Sequence, residues 1–426
     1  MSETKPNKKG VYFPGLNALR FFAAFAVIFT HVELIKKLMG RSDHGWIDLW
    51  GEWQSGPRKG MTVVDSFPLK AVIEDPVIKW YHPIVSEAGP LGVVFFFVLS
   101  GFLITYLLFA ERQKTGRISI KAFYLRRIFR IWPLYYFLIL LGFFVFPHLE
   151  PFWIRYQSDI WEIPNDFWMS FAFFMFMLPN LAFARYGAFP NIGQAWSIGV
   201  EEQFYLIWPW MLRKAKRPLN RMAIFLVVLM AIKGIFLLAV EPGGVWTDAI
   251  KKFLAMSKLE CMALGGLGAW ALFFEKKTLL KWFYHPVAQV AGIVGIPFLI
   301  LFAPAMLQNA IHLVYAMLFL IIILNVSTNP KSILKLENGI LNFLGKISYG
   351  IYMYHMVIIA LVLWIVRKIW PNGTLSVTTE NIVIYVLTVG LTILVSYLSY
   401  TYLEHRFIKL KSRFTKVVSG DEARNQ

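Results

Sequence analysis

The sequence contains a single cysteine and few charged residues, and both shortages restrict the kind of protein that it can encode. Cys261 has no partner for an intrachain disulfide, and it lies in an apolar stretch, where a small packed residue is expected rather than a reactive thiol. Only 16% of the 426 residues are charged, whereas 57% are hydrophobic. Because so little polar surface cannot coat one globule of this length, the composition excludes an ordinary water-soluble protein.

Apolar segments of about 20 residues recur along the whole chain, and each could cross a hydrocarbon core of ~30 Å as a helix. The eleven candidates are 14–38, 90–110, 128–147, 167–184, 196–212, 221–240, 254–274, 285–303, 308–326, 343–366 and 382–404. The sequence therefore predicts an all-α, polytopic bundle of transmembrane helices. It divides into a cytoplasmic N-terminal segment (1–13), a membrane domain (14–408) and a cytoplasmic basic tail (409–426).

Charge decides how many candidates cross. Lys and Arg number 43 against 25 Asp and Glu, in short clusters between apolar runs, which is typical of a cytoplasmic membrane face and not of nucleic-acid binding. If 167–184 re-enters or lies in the interface, the later basic loops fall on the cytoplasmic side. We therefore expect about ten crossings, with both termini cytoplasmic. Pro179 and Asn180 would suit a broken helix there. Two long loops, 39–89 and 148–195, are expected to form external caps.

The first span carries two ionisable residues, Arg20 and His31, eleven positions apart. At ~100° and ~1.5 Å per residue they face the same way, about 16 Å apart along the helix. Ionisable groups this deep in a membrane usually have a function. The alternatives are that Arg20 is an anchor whose charged end reaches the membrane surface and that His31 only packs against a neighbouring helix. Because imidazole titrates near neutrality, His31 is our candidate general base.

The second span contains Ser100, Gly101 and Phe102 in mid-membrane, where small residues allow close approach of a ligand chain or of another helix. At the inner end of the third span lies KAFYLRRIFRIWP, in which Arg126, Arg127 and Arg130 form a cationic face at i,i+3 and i,i+4 spacing. Guanidinium groups bind phosphates bidentately, so this face is a candidate phosphate site, or an ordinary basic membrane boundary.

Further polar groups lie in otherwise apolar helices. Glu201 and Glu202 are adjacent carboxylates, and exposing both of them to lipid would cost much free energy. Ser348, Tyr352 and His355 are spaced i, i+4, i+7 and so share one polar stripe, useful for chemistry or for interhelical hydrogen bonds. Glu201, Glu202, Tyr352 and His355 complete the candidate catalytic set with Arg20 and His31, and we expect no metal site.

Six motifs follow one another along nearly the whole chain. They are Arg20 with His31, FFFVLSGFL, FYLRRIFRIWPLYY, WSIGVEEQFY, ISYGIYMYH and YLEHRF. Together they resemble the acyltransferase 3 family. The resemblance implies an integral plasma-membrane enzyme that moves an acyl group, commonly acetyl, from cytoplasmic acyl-CoA to a hydroxyl of an envelope or exported carbohydrate.

The resemblance also implies roles for particular residues. His31 and Arg20 match the essential pair of the family, Ser100 to Phe102 its SGF element, and Arg127 with Arg130 its arginine pair, expected to bind acyl-CoA. A hydrolase-like partner domain, where such an enzyme needs one, would be a separate periplasmic chain. Two alternatives are a proton-coupled transporter, which would show matched broken helices in two halves, and the unrelated O-acyl family, which would want an Asn beside His355.

Overall fold

The computed structural model describes residues 10–38, 41–42, 45–46, 76–152, 164–241, 243–302, 311–370, 376–420 and 423. Almost all of them are helical. The helices are α1 (Leu16–Leu38), α2 (Pro76–Thr115), α3 (Ile120–Phe144), α4 (Pro164–Met175), α5 (Pro179–Tyr186), α6 (Ala195–Arg213), α7 (Pro218–Ala239), α8 (Val245–Met256), α9 (Leu259–Phe273), α10 (Lys277–Tyr284), α11 (Pro286–Phe302), α12 (Ile311–Thr328), α13 (Gly339–Lys346), α14 (Ser348–Ile369), α15 (Val377–Ser399) and α16 (His405–Ser412).

Smaller elements complete the path of the chain. Two short 3-10 turns, Phe146–His148 and Glu150–Phe152, follow α3, and a π-helical turn, Tyr400–Glu404, joins α15 to α16. Strands β1 (Arg41–Ser42) and β2 (Gly45–Trp46) pair antiparallel after α1. Of the expected external cap at 39–89, residues 76–89 form the first part of α2 instead of a loop, and 39–40, 43–44 and 47–75 lie outside the described residues.

Within the described part of the chain, seven helices are long and apolar enough to cross a membrane. An eighth span results if α10 and α11, bent by 55° where they meet, are counted together. The fold is thus a multi-pass helical bundle, as predicted. Of the other predicted crossings, α6 carries two glutamates, and α9 has 15 residues, about 22 Å at 1.5 Å each. The expected ten crossings and cytoplasmic termini stay predictions.

The predicted segment 167–184 is broken into α4 and α5. Met177, between them, has a positive φ of 58°. The interruption leaves carbonyls at the end of α4 without the hydrogen bonds of a continuing helix. Two tyrosines of α3 donate to these carbonyls: Tyr135 to Phe174 at 2.8 Å and Tyr136 to Met175 at 2.9 Å. With 12 and 8 residues, neither helix alone could cross a ~30 Å core.

The centre of the bundle is a very close crossing of α2 and α9. A Cβ atom added at Gly101 would lie 1.8 Å from the Met262 carbonyl oxygen, and one at Gly265 would lie 2.0 Å from the Val98 carbonyl oxygen. Only glycine lets the two backbones approach so closely. This crossing fixes α2, and with it Ser100, against the rest of the core.

Candidate functional site

A cavity of about 340 Å³ lies among α1, α2, α3, α6 and α14, and its wall is completed by α13, α16, the π-helical turn and residues 11–13 and 419–420. The cavity draws together side chains that are far apart in the sequence. Seven residues that the sequence singled out line it: Arg20, Ser100, Arg127, Arg130, Glu201, Ser348 and Tyr352. This convergence of polar groups inside an apolar bundle is the usual character of a binding site.

The cavity is strongly cationic. Among the described residues that line it, five side chains are basic and one is acidic. The basic residues are Arg20, Arg127, Arg130, Lys346 and Lys411, and the acidic residue is Glu201. Because a low-dielectric wall strengthens the field of such groups, the cavity suits an anionic ligand with several charges.

Glu201 is held in a fixed orientation by two hydroxyl groups. Ser100 Oγ donates to Glu201 Oε1 at 2.8 Å, and Tyr205 Oη donates to Glu201 Oε2 at 2.9 Å. The guanidinium of Arg127 lies 5.9 Å from the centre of the Tyr205 ring and 5.8 Å from that of Phe123. Arg127 Nε is buried without a hydrogen-bond partner among the described residues, so this donor is available to a ligand.

Tyr352 forms the wall of the cavity on the side away from the arginines of α3. Its hydroxyl donates to the Gln194 carbonyl at 3.0 Å and lies 2.6 Å from Ser197 Oγ, which also lines the cavity. Tyr352 and Ser197 are 5% and 4% exposed. His355 lies on the next turn of α14, beyond this hydroxyl pair.

His31 and His355 form a contact pair between α1 and α14. His31 Nδ1 lies 3.2 Å from His355 Nε2 and 2.9 Å from the Val27 carbonyl, and His355 Nδ1 lies 2.5 Å from the Tyr352 carbonyl. A carbonyl can only accept, so both Nδ1 atoms are assigned the proton. Neither contact of His31 uses Nε2, which is left as the basic nitrogen. His31 and His355 are not among the residues that line the cavity.

Arg126 and Glu202, two other predicted site residues, also lie outside the cavity wall. Arg126 forms an ion pair with Glu111 at 2.7 Å, so the predicted arginine face divides and Arg127 with Arg130 alone reach the cavity. Glu202 Oε2 accepts from Trp132 Nε1 at 3.4 Å.

Gly101 and Phe102 serve helix packing in this structure. Gly101 is the point of contact with α9, and Phe102, fully buried, packs its ring 5.3 Å from that of Phe13. Of the SGF element, Ser100 alone lines the cavity. A contact of Gly101 or Phe102 with the donor stays a prediction.

Many residues of the cavity wall were not assigned to the site from the sequence, among them Ser197, Tyr205, Lys346 and Lys411. Ser197 and Tyr205 flank Glu201 at one helical turn each, a spacing that could have placed them beside it. Lys346 and Lys411 lie at polar helix ends, where nothing distinguishes them from ordinary basic residues of a membrane boundary.

Comparison with known proteins shows the family of this chain. The family model described as "Acyltransferase domain", that of acyltransferase 3, matches residues 13–401. The peptidoglycan O-acetyltransferase OatA of Listeria monocytogenes is 30% identical over 82% of this chain and 56% of its own length. The O-acetyltransferase OatA of Staphylococcus aureus (strain NCTC 8325) is 25% identical over 92% of this chain and 57% of its own length.

The chain thus spans about half the length of these curated relatives. No solved structure matches it. Because the family model covers most of the chain, including every helix from α1 to α15, the chain belongs to the acyltransferase 3 family.

Proposed function

We propose that this protein transfers an acetyl group from cytoplasmic acyl-CoA to a hydroxyl of an envelope carbohydrate across the plasma membrane. The observation that carries the proposal is the cationic cavity, which ends at Tyr352, one helical turn from the His31–His355 pair. The relatives add the acceptor class, since one is named a peptidoglycan O-acetyltransferase. Family membership also favours group transfer over the alternative of a proton-coupled transporter.

In this proposal the donor enters the cavity with its phosphates on the arginines of α3. Arg127 has an unused buried donor, and Arg130 lies on the same side, its Nη2 3.5 Å from the Lys346 carbonyl. Guanidinium groups suit phosphate oxygens, and three phosphates match a wall with an excess of cations. The thioester then reaches past Ser100 and Arg20 towards Tyr352.

The acceptor hydroxyl approaches from the other side and meets His31, and the Tyr352 hydroxyl turns away from the Gln194 carbonyl so that acceptor and thioester meet. Its oxygen forms the new C–O bond with the thioester carbonyl carbon while its proton passes to His31 Nε2. The oxyanion of the tetrahedral intermediate is stabilised by the Tyr352 hydroxyl or by Arg20. As the C–S bond breaks, the leaving thiolate takes the proton back from His31, so the reaction is balanced without another reactant.

The test uses membranes that contain the wild type or His31→Ala, supplied with acetyl-CoA labelled in the acetyl group. We expect labelled carbohydrate with the wild type and a loss of roughly 10²–10⁴-fold with His31→Ala, the contribution of a general base. His148→Ala is the matched control, because His148 is exposed in the turn after α3. Equal labelling by His31→Ala and the wild type would contradict the proposed role of His31.

A further inference from the structure

The two ends of the described chain meet at the arginine end of the cavity. Val11 and Ser419 pair in a parallel β-bridge, in which Val11 N donates to the Val418 carbonyl at 2.8 Å and Gly420 N donates to the Val11 carbonyl at 3.0 Å. We refer to residues 10–13 and 418–420 as the terminal clasp. Its members Val11, Tyr12, Phe13, Ser419 and Gly420 all line the cavity.

Both strands of the terminal clasp are tethered to the bundle nearby. Tyr12 Oη donates to Glu337 Oε1 at 2.6 Å, and the Phe13 ring packs 4.9 Å from that of Tyr106. On the other strand, the Phe414 ring stacks 5.9 Å from that of Phe129. The clasp itself is joined by two backbone hydrogen bonds, whereas its tethers are more numerous. It can therefore open at the bridge while both strands stay close to the mouth.

The clasp lies beside two of the basic residues that the sequence did not assign. Lys346, at the end of α13, and Lys411, in α16, line the same cavity and are partly buried. Lysine binds phosphate through a compact ammonium charge. That charge tolerates movement of the phosphate better than the planar guanidinium of arginine does. The mouth thus combines two ammonium groups with a backbone closure.

Size places the phosphorylated end of a donor at this mouth. Pockets that enclose drug-sized ligands measure ~300–1,000 Å³, and the cavity, at about 340 Å³, is at the small end of that range. A nucleotide thioester with a long pantetheine arm would fill the cavity and extend to its mouth. With the thioester at Tyr352, the nucleotide would lie at the opposite end of the cavity, beside the clasp and the two lysines that line it.

We propose that Lys346, Lys411 and the terminal clasp form a binding site for the phosphorylated nucleotide end of the donor, and that the clasp must open for the donor to enter. This inference rests on the proposed function, because it takes acyl-CoA as the donor.

The clasp is tested by locking it with a disulfide. In Val11→Cys/Ser419→Cys the two thiols would face each other across a β-bridge, and the one native cysteine, Cys261, is buried. Full-length protein in membranes is oxidised, cross-linking is quantified by thiol alkylation, and acetyl transfer from acetyl-CoA is measured. We expect the rate to fall at least tenfold on oxidation and to return with reductant. Each single-cysteine variant, treated identically, should keep its own rate.

The lysines are tested without cross-linking, which covers the case in which the double variant fails to fold. Losing one charge-assisted contact corresponds to about a tenfold weaker interaction, so Lys346→Ala and Lys411→Ala should each raise KM for acetyl-CoA about tenfold at nearly unchanged kcat. Lys411→Arg should restore KM. Lys409→Ala, an exposed neighbour in α16 outside the cavity wall, is the matched control.

The outcomes separate the two proposals. If the wild type does not use acetyl-CoA, the proposed function fails, and this inference fails with it. If the wild type uses acetyl-CoA but the fully cross-linked chain is as fast as the reduced one, or KM does not change in either lysine variant, the inference fails alone.

Discussion

The Tyr352 hydroxyl lies at the boundary between the cavity and the histidine pair, and both of its contacts are neutral oxygen atoms. Such a hydroxyl can turn from the Gln194 carbonyl towards a developing negative charge without breaking an ion pair. Its loss should therefore affect the transition state more than the fold.

We predict that Tyr352→Phe lowers kcat for acetyl transfer about 10²-fold, the usual effect of removing one oxyanion donor. Steady-state assays with saturating acetyl-CoA measure it. Tyr354→Phe is the matched control: it lies in the same helix and loses a comparable hydrogen bond, to Ser399 Oγ at 3.0 Å, but it does not line the cavity. If the two variants were equally active, Tyr352 would have no role in the chemistry.

At the scale of single residues, the sequence identified charged residues, because burying a charge in an apolar helix is energetically unfavourable. Arg20, Arg127 and Glu201 are charged groups in apolar helices, so their position in a shared cavity could be expected, and they do line it. The contact of His31 with His355 could not be predicted, because it depends on how α1 packs against α14, 324 residues away in the chain.

At the scale of helices, the crossing of α2 and α9 is the tightest constraint described. Gly101 and Gly265 each face a backbone carbonyl of the other helix, so any side chain there must push the helices apart.

We expect Gly101→Val to destabilise the protein by about 1–3 kcal/mol or more through overpacking. The measurement is the midpoint of thermal aggregation of purified protein in detergent, which should fall. Gly390→Val in α15 is the control, since a Cβ atom there meets no atom within 4 Å. An unchanged midpoint in Gly101→Val would mean that the two helices are further apart than described.

Helix boundaries were predictable where proline sets them. Pro179 begins α5 after the interruption at Met177, and the sequence had indicated a break there. Amphipathic α8 was missed because its 12 residues, interrupted by the polar pairs Thr247–Asp248 and Lys251–Lys252, do not form an apolar window. The predicted span 254–274 accordingly begins later in the structure, at Leu259.

At the scale of the whole molecule, the orientation in the membrane follows from the proposed positions of the donor and acceptor. The arginine end of the cavity and α16 should face the cytoplasm, and the turn after α3 should face outwards.

This orientation is tested with single reactive thiols in right-side-out vesicles, where buried Cys261 gives little background. His148→Cys should react with a membrane-impermeant maleimide at once, since His148 is exposed in the turn after α3. Ser412→Cys, exposed in α16, should react only after permeabilisation. The reverse pattern would place the donor mouth on the outer face.

The Ser197–Tyr352–Gln194 contact has a further consequence for a cell that depends on its membrane potential. A water-filled channel running from the arginine end to the histidine pair would leak protons and ions down their gradient. The three groups are hydrogen-bonded, and neither histidine is among the residues that line the cavity, so we expect that end of the cavity to be closed to water and ions. Such a seal would let an acetyl group pass from one compartment to the other while the energised membrane loses no charge.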